Sequence, residues 1–346
     1  IDFKMLDTQG VTDMSFMFSD CSGLTSLDLS PLDTEKVTNM SCMFLNCYRL
    51  TSLDLTPLDT QNVIYMDNMF ERCYDLSDLN ITGLNTSNVI NMDYMFAGCV
   101  KLAKIDCSSM DAKKVTSAIN MFCYCKNLSK LRLPTFSEKL EKINKRDQYA
   151  NLTSSATWAY GMFEKCYKLT NIDLAPLNTS NITDMSYMFK DCSGLTSLNL
   201  SSLNTQKVTD MSEMFHNCSG LTSLDLTSLN TQNVTKVNQM FYNCCSLVSL
   251  DLSSLDTSKV TDMYNMFYGC SGLTSLDLSP LNTQNVTNMG SMFYNCYGLT
   301  SLNLSSLNTQ KVTNMASMFL NCHSLTNLDL TPLNTQNVTS MVNMFS

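Results

Sequence analysis

The chain has little charge, almost no histidine and a single tryptophan. Asp, Glu, Lys and Arg make up 15% of its 346 residues, below the usual quarter, so Ser, Thr, Asn and Gln must cover most of the surface. Two His and no Cys-x-x-Cys pair deprive a metal site of its commonest ligands. No apolar run approaches the roughly eighteen residues that span a bilayer, and no signal-peptide pattern opens the chain. There is no Ser/His/Asp grouping and no Gly-rich phosphate loop, which argues against an enzyme. The net charge is −9 and the pI near 4.7. No Lys/Arg cluster tracks one face of the chain, which argues against nucleic acid and anionic membrane as partners.

What the chain does have is repetition. Met-Phe recurs with Phe at 18, 44, 70, 96 and 122, then at 163, 189, 215, 241, 267, 293, 319 and 345. Every interval is 26 residues except one, which is longer by 15. A period of this length implies a solenoid, in which each unit buries its apolar face only against its neighbours. The expected organisation is therefore one array over 1–346, with an insertion at 134–158 in the sixth coil. The chain starts and stops inside a repeat, as expected of a fragment.

Within the unit Leu24 to Arg49, LTSLDLSPLDTEKVTNMSCMFLNCYR, Leu27 and Leu29 alternate with Ser26, Asp28 and Ser30 as in a half-buried strand. Asp33-Thr34 reads as a turn, with Asx bonding its own backbone two residues on. Met40, Met43, Phe44 and Cys47 fall at i, i+3, i+4 and i+7, the spacing of a buried helical stripe. Thr38 or Asn39 would serve as N-cap of a two-turn helix. Stacked at about 4.8 Å per coil, thirteen coils would form a curved rod about 60 Å long. Of the 25 Met, 23 occupy the stripe. So do twelve of the sixteen Cys, read as buried thiols with a disulfide ladder as the alternative.

The pattern LxxLxLxxL, then Asx-Thr, then VTxMxxMFxxCxxL resembles the leucine-rich repeats of BspA-type bacterial surface proteins, over the whole chain except the insertion. The resemblance implies a right-handed α/β leucine-rich-repeat solenoid, here of about thirteen coils, each with one short parallel strand and one short helix. It also implies a secreted or surface-anchored protein with an adhesive, non-enzymatic role. Expected partners are proteins or glycans on host or neighbouring cells. The alternative is a self-assembling structural solenoid, a fibre or surface-layer component. An asparagine ladder in the usual register is not expected, because Leu32 occupies the place where Asn or Cys is usual.

Three features vary outside the core. A stripe that includes Asp225, Asp251 and Asp277 stands between the strand leucines; it is either a grip for Ca²⁺ or a basic partner, or a solvated face diluted by Asn. Tyr242, Tyr268 and Tyr294 repeat at one outward position, as binding residues or as rim residues packed on the next coil. The insertion carries Lys142, Lys145 and Arg146 and the only Trp, Trp158, as a binding loop or a tolerated one. His216 and His323 read as separate surface residues.

Overall fold

A computed structural model describes residues 6–136 and 159–345. It contains two compact units, 1–181 and 182–346. In each, residues 26 apart stack upon one another, so both are solenoids.

Unit one holds the named strands. β1 (Ser52–Asp54) pairs in parallel with β2 (Asp78–Asn80), and Leu53 lies opposite Leu79. β3 (Lys104–Asp106) pairs likewise with β5 (Lys130–Arg132), Ile105 opposite Leu131. The two-residue strands β4 (Asp111–Ala112) and β6 (Thr135–Phe136) form a third parallel pair. In unit two the Leu-x-Leu segments keep the same inward and outward alternation, as at Leu224, Asp225 and Leu226, yet no strand is assigned there. The expectation of one strand per coil thus holds only in part. The more persistent ladder lies at the Asn39 column, where single-residue parallel bridges run from Asp13 to Ser117 and from Asp184 to Ser340.

The predicted helix is absent: no described residue is helical, and none lies in a helix able to cross a membrane. The inward residues are nevertheless those the spacing picks out, with Met40, Met43, Phe44 and Cys47 fully buried. Two successive four-residue turns put them there. Met43 N–H donates to Met40 O (3.3 Å) and Cys47 N–H to Phe44 O (3.1 Å). The third residue of each turn has positive φ, 58° at Cys42 and 61° at Asn46, the conformation that type II turns reserve for Gly or Asn. The donors in between reach the next coil: Met40, Cys42, Phe44 and Asn46 N–H bond the carbonyls of Tyr65, Asp67, Met69 and Glu71 at 2.9–3.0 Å.

Coil spacing explains the choice. Parallel backbone pairing sets about 4.8 Å per coil, whereas packed helices need about 8–10 Å between axes. A helix would also spend its N–H groups on itself. Turns leave alternate donors free to join coils, and both sides of the coil advance by the same step.

Three ladders fill the interior. The Phe rings stack with centroids 5.4–6.3 Å apart in unit one, from Phe18 to Phe163. In unit two, Phe189 to Phe345 stack at 5.5–6.0 Å. Ten stripe thiols donate to the carbonyl of the Phe in the coil before, as Cys47 Sγ does to Phe18 O (3.1 Å) and Cys270 Sγ to Phe241 O (3.0 Å). These cysteines are free, and burial pushes the Cys47 thiol up to about 11 and the Cys270 thiol well above its ordinary value. Off the stripe, Cys42 is buried although its place in the repeat reads as outward.

The third ladder is threonine. Thr34, Thr60, Thr205, Thr257 and their counterparts up to Thr309 are buried. Thr257 Oγ1 donates to Asn282 O (2.9 Å) and accepts from Asn282 N–H (2.8 Å), so one hydroxyl ties both backbone groups of the next coil. The neighbouring Asx faces outward and caps its own turn, as Asp256 Oδ1 does by accepting from Ser258 N–H at 2.9 Å. Where the column carries Ala112 in place of Thr, β4 and β6 pair backbone to backbone.

Candidate binding surfaces

The acidic stripe is fully solvated and locally engaged. Asp225, Asp251 and Asp277 are exposed. Asp225 Oδ1 accepts from Thr227 Oγ1 (2.6 Å) and Thr227 N–H (2.9 Å); Asp251 and Asp277 accept from Ser253 and Ser279 N–H at 2.8 Å. These bonds hold all three carboxyls below the usual carboxylate range, led by the Thr227 hydroxyl at Asp225 and by backbone N–H groups at the other two. The stripe is interrupted at Arg132, which reaches back to Asp106 at 3.2 Å. Among the described residues no group of three or more His, Cys, Asp or Glu is placed to hold a metal ion. The carboxylates act first as turn caps.

The tyrosines form a continuous outer column. Tyr242 and Tyr268 stack with ring centroids 4.3 Å apart, Tyr268 and Tyr294 at 4.6 Å, all within 13° of parallel. All three are half-buried because each ring covers its neighbour's face, leaving hydroxyls and ring edges outward. Burial, then the neighbouring Tyr242, pushes the Tyr268 hydroxyl up to about 12. Asn295 Nδ2 lies 3.4 Å from the Tyr268 hydroxyl, and Asn295 Oδ1 accepts from Tyr297, which is 44% exposed. The parallel row of Tyr48 and Tyr74 stacks at 5.1 Å in unit one.

His216 heads this column and is not the separate surface residue that its local sequence suggests. Its ring stacks on Tyr242 at 4.3 Å, and its Nδ1 lies 3.5 Å from Glu213 Oε2. Glu213, itself buried, pairs with Lys190 at 2.5 Å. Burial, aided by the Lys190 charge, lowers the His216 pKa. His323 likewise stacks on Tyr297 at 5.6 Å. Both histidines occupy tyrosine positions of the repeat, 26 residues from Tyr242 and Tyr297. Lys142, Lys145, Arg146 and Trp158 lie outside the described residues.

Residues 2–56, 47–141, 157–274 and 245–346 match the family described as "Mycoplasma protein of unknown function, DUF285". The chain belongs to this family. Its recurrence of Phe every 26 residues is that of a BspA-like repeat. No curated protein has a matching sequence. Among solved structures, this DUF285 chain is similar to a leucine rich cell surface protein from Faecalibacterium prausnitzii, at 18% identity over 86% of this chain and 77% of that one, with a TM-score of 0.44. A leucine-rich repeat protein from Eubacterium ventriosum is 17% identical over 92% and 78% of the respective chains, with a TM-score of 0.44. One from Bacteroides ovatus is 17% identical over 93% and 91%, with a TM-score of 0.36. The solenoid character of the DUF285 chain stands on its own 26-residue ladders.

Proposed function

We propose that this DUF285 chain is a non-enzymatic binding module displayed at a cell surface, which engages a protein or glycan on a host or neighbouring cell. The observation that carries this reading is the outer aromatic column of His216, Tyr242, Tyr268 and Tyr294. Stacking fixes these side chains before any partner arrives, so little rotamer entropy remains to be lost on contact. Tyrosine combines apolar edge and hydroxyl, which suits protein and glycan surfaces alike. The ring faces are already covered, and the partner meets hydroxyls and edges spaced by one coil.

Asp225, Asp251 and Asp277, and the basic insertion residues Lys142, Lys145 and Arg146 with Trp158, are proposed as further contacts, acidic and basic respectively. The test is attachment of the purified chain to cultured epithelial cells and to immobilised matrix glycoproteins, measured with and without chelator. Converting Tyr242, Tyr268 and Tyr294 together to Ser is expected to weaken attachment by about tenfold or more, as loss of aromatic hot spots does. Deleting 137–156 is expected to weaken it less. Attachment by the triple variant equal to that of the parent chain, with its unfolding unchanged, would sink the assignment of this column.

A further inference from the structure

Two adjacent coils of unit one break a rule that the rest of the chain keeps. At the column of Thr38, every other coil with a described residue carries Thr. Its hydroxyl donates to the carbonyl of the coil before, as from Thr38 to Thr12, Thr116 to Ile90 and Thr209 to Thr183, each at 3.1 Å. Ile64 and Ile90 replace that hydroxyl with an aliphatic side chain on two successive coils, and both are only half-buried. They form the floor of a shallow open groove of about 640 Å³.

The next column departs at the same two coils. In unit two lysine and asparagine alternate there, and each lysine reaches back to the asparagine before it: Lys259 Nζ to Asn233 Oδ1 and Lys311 Nζ to Asn285 Oδ1, both 2.7 Å. In unit one the order is Lys36, Asn62, Asn88, Lys114. Asn62 and Asn88 each donate to the preceding coil's backbone at 2.7 Å, and Lys114 takes Asn88 Oδ1 at 2.6 Å. No lysine follows Asn62, because Asn88 holds that place in the next coil. Thr12, Lys36 and Thr38 complete the lining, which includes no carboxylate, and Lys114 stands one coil beyond Asn88.

We infer that this groove is a docking site for an extended acidic peptide segment, with an aliphatic side chain seated on Ile64 and Ile90 and carboxylates reaching Lys36 and Lys114. Charge complementarity selects the occupant: an apolar floor with Lys36 in its lining, Lys114 one coil beyond it and no carboxylate disfavours a basic segment. Spacing narrows it further. The lysines are three coils apart, roughly 14 Å at about 4.8 Å per coil, a span that an extended strand covers in about four residues. The segment therefore carries acidic residues about four positions apart with an aliphatic residue between them. This deepens the reading of the chain as a binding module, on which it rests, but uses a different unit from the tyrosine column.

The experiment is selection of a displayed random-peptide library on the whole chain, with counter-selection on the double variant Ile64→Thr, Ile90→Thr. That variant restores the residue found in the other coils, so its fold is retained, and circular dichroism checks this. Selected peptides are expected to show the acidic, aliphatic, acidic pattern. As synthetic fluorescent probes they should bind the double variant about tenfold or more weakly, the scale of lost aliphatic contacts in a pocket. Lys36→Glu should weaken them similarly, with steep salt dependence. The Tyr242, Tyr268, Tyr294 triple Ser variant should bind them unchanged. Peptides that ignore both groove variants, peptides of basic character, or no peptide distinguishing the two chains would each overturn the groove assignment. Loss of cell attachment in the tyrosine variant is scored separately, so failure of the groove and failure of the module reading are distinguishable.

Discussion

Phe241→Ala lowers the unfolding free energy of the chain by about 3–5 kcal/mol, the cost of emptying a large aromatic from a closed core. Phe241 is fully buried, its ring 5.8 Å from Phe215 on one side and 5.7 Å from Phe267 on the other, so neither flank collapses readily into the gap. Its carbonyl accepts from Cys244 N–H (3.1 Å) and from Cys270 Sγ (3.0 Å), and its N–H donates to Met266 O (3.0 Å). The side chain thus holds in place a backbone segment joined to the following coil and, through Met240 O, which accepts from Phe215 N–H (3.0 Å), to the preceding one. Repeat arrays are stabilised by nearest-neighbour interfaces, so a defect in a central coil weakens two interfaces. Urea unfolding checks the magnitude, and hydrogen exchange is expected to show lost protection centred on coils 215, 241 and 267. A loss below about 1 kcal/mol would mean that the ring is not enclosed.

Thr257→Val is expected to cost roughly 2–4 kcal/mol, because a near-isosteric change leaves an N–H and a carbonyl of the next coil without their shared partner. Thr257 is 2% exposed, and its hydroxyl is the partner of both groups of Asn282. Thr257→Ser keeps both bonds and removes only a methyl, which costs about 1 kcal/mol. The difference between the two variants, read from denaturant midpoints at equal slope, isolates the hydroxyl. Equal losses for Val and Ser would assign the column to packing alone.

Much of the interior is legible in the sequence. The columns of Met40, Met43, Phe44 and Cys47 are buried as their spacing implies, and Leu29 and Leu32 likewise. The backbone that carries them is not so legible, since two four-residue turns and a two-turn helix place i, i+3, i+4 and i+7 on the same side. The discriminating column is the one before the stripe cysteine, where Asn46, Gly98, Asn217, Asn243, Gly269, Asn295 and Asn321 tolerate positive φ, although Arg72, Tyr124 and Lys165 adopt it there too. Mid-helix Asn or Gly in coil after coil is poor helix chemistry. The threonine ladder is hidden for another reason. Asp-Thr is turn composition, and periodicity alone does not reveal that its second residue points inward to bridge two coils.

The outer surface divides in the same way. His216 belongs to the tyrosine column by simple addition of 26, but its stacking on Tyr242 and the Lys190–Glu213 pair beside it depend on how the coils sit. The Asp225, Asp251 and Asp277 stripe is visible as a row, while its use as a set of turn caps follows only from its bonds to the residues two positions on. Ile64 and Ile90 are plain departures from Thr in the alignment of the repeats, and the groove they floor becomes apparent only when the coils are stacked.

The central claim is that the Met-Phe segment of each coil is a pair of turns cross-linked to the next coil, and Ser291 tests it most directly. Ser291 has φ of 52°, and its N–H donates to Ala316 O at 2.8 Å. The measurement is the urea midpoint of Ser291→Gly against Ser291→Ala. At a left-handed residue Gly relieves a strain of about 1 kcal/mol and Ala does not, so Ser291→Gly is expected to be the more stable protein. In a helix the order reverses, with Ala favoured over Gly by about 1 kcal/mol, and that result would contradict the turn architecture.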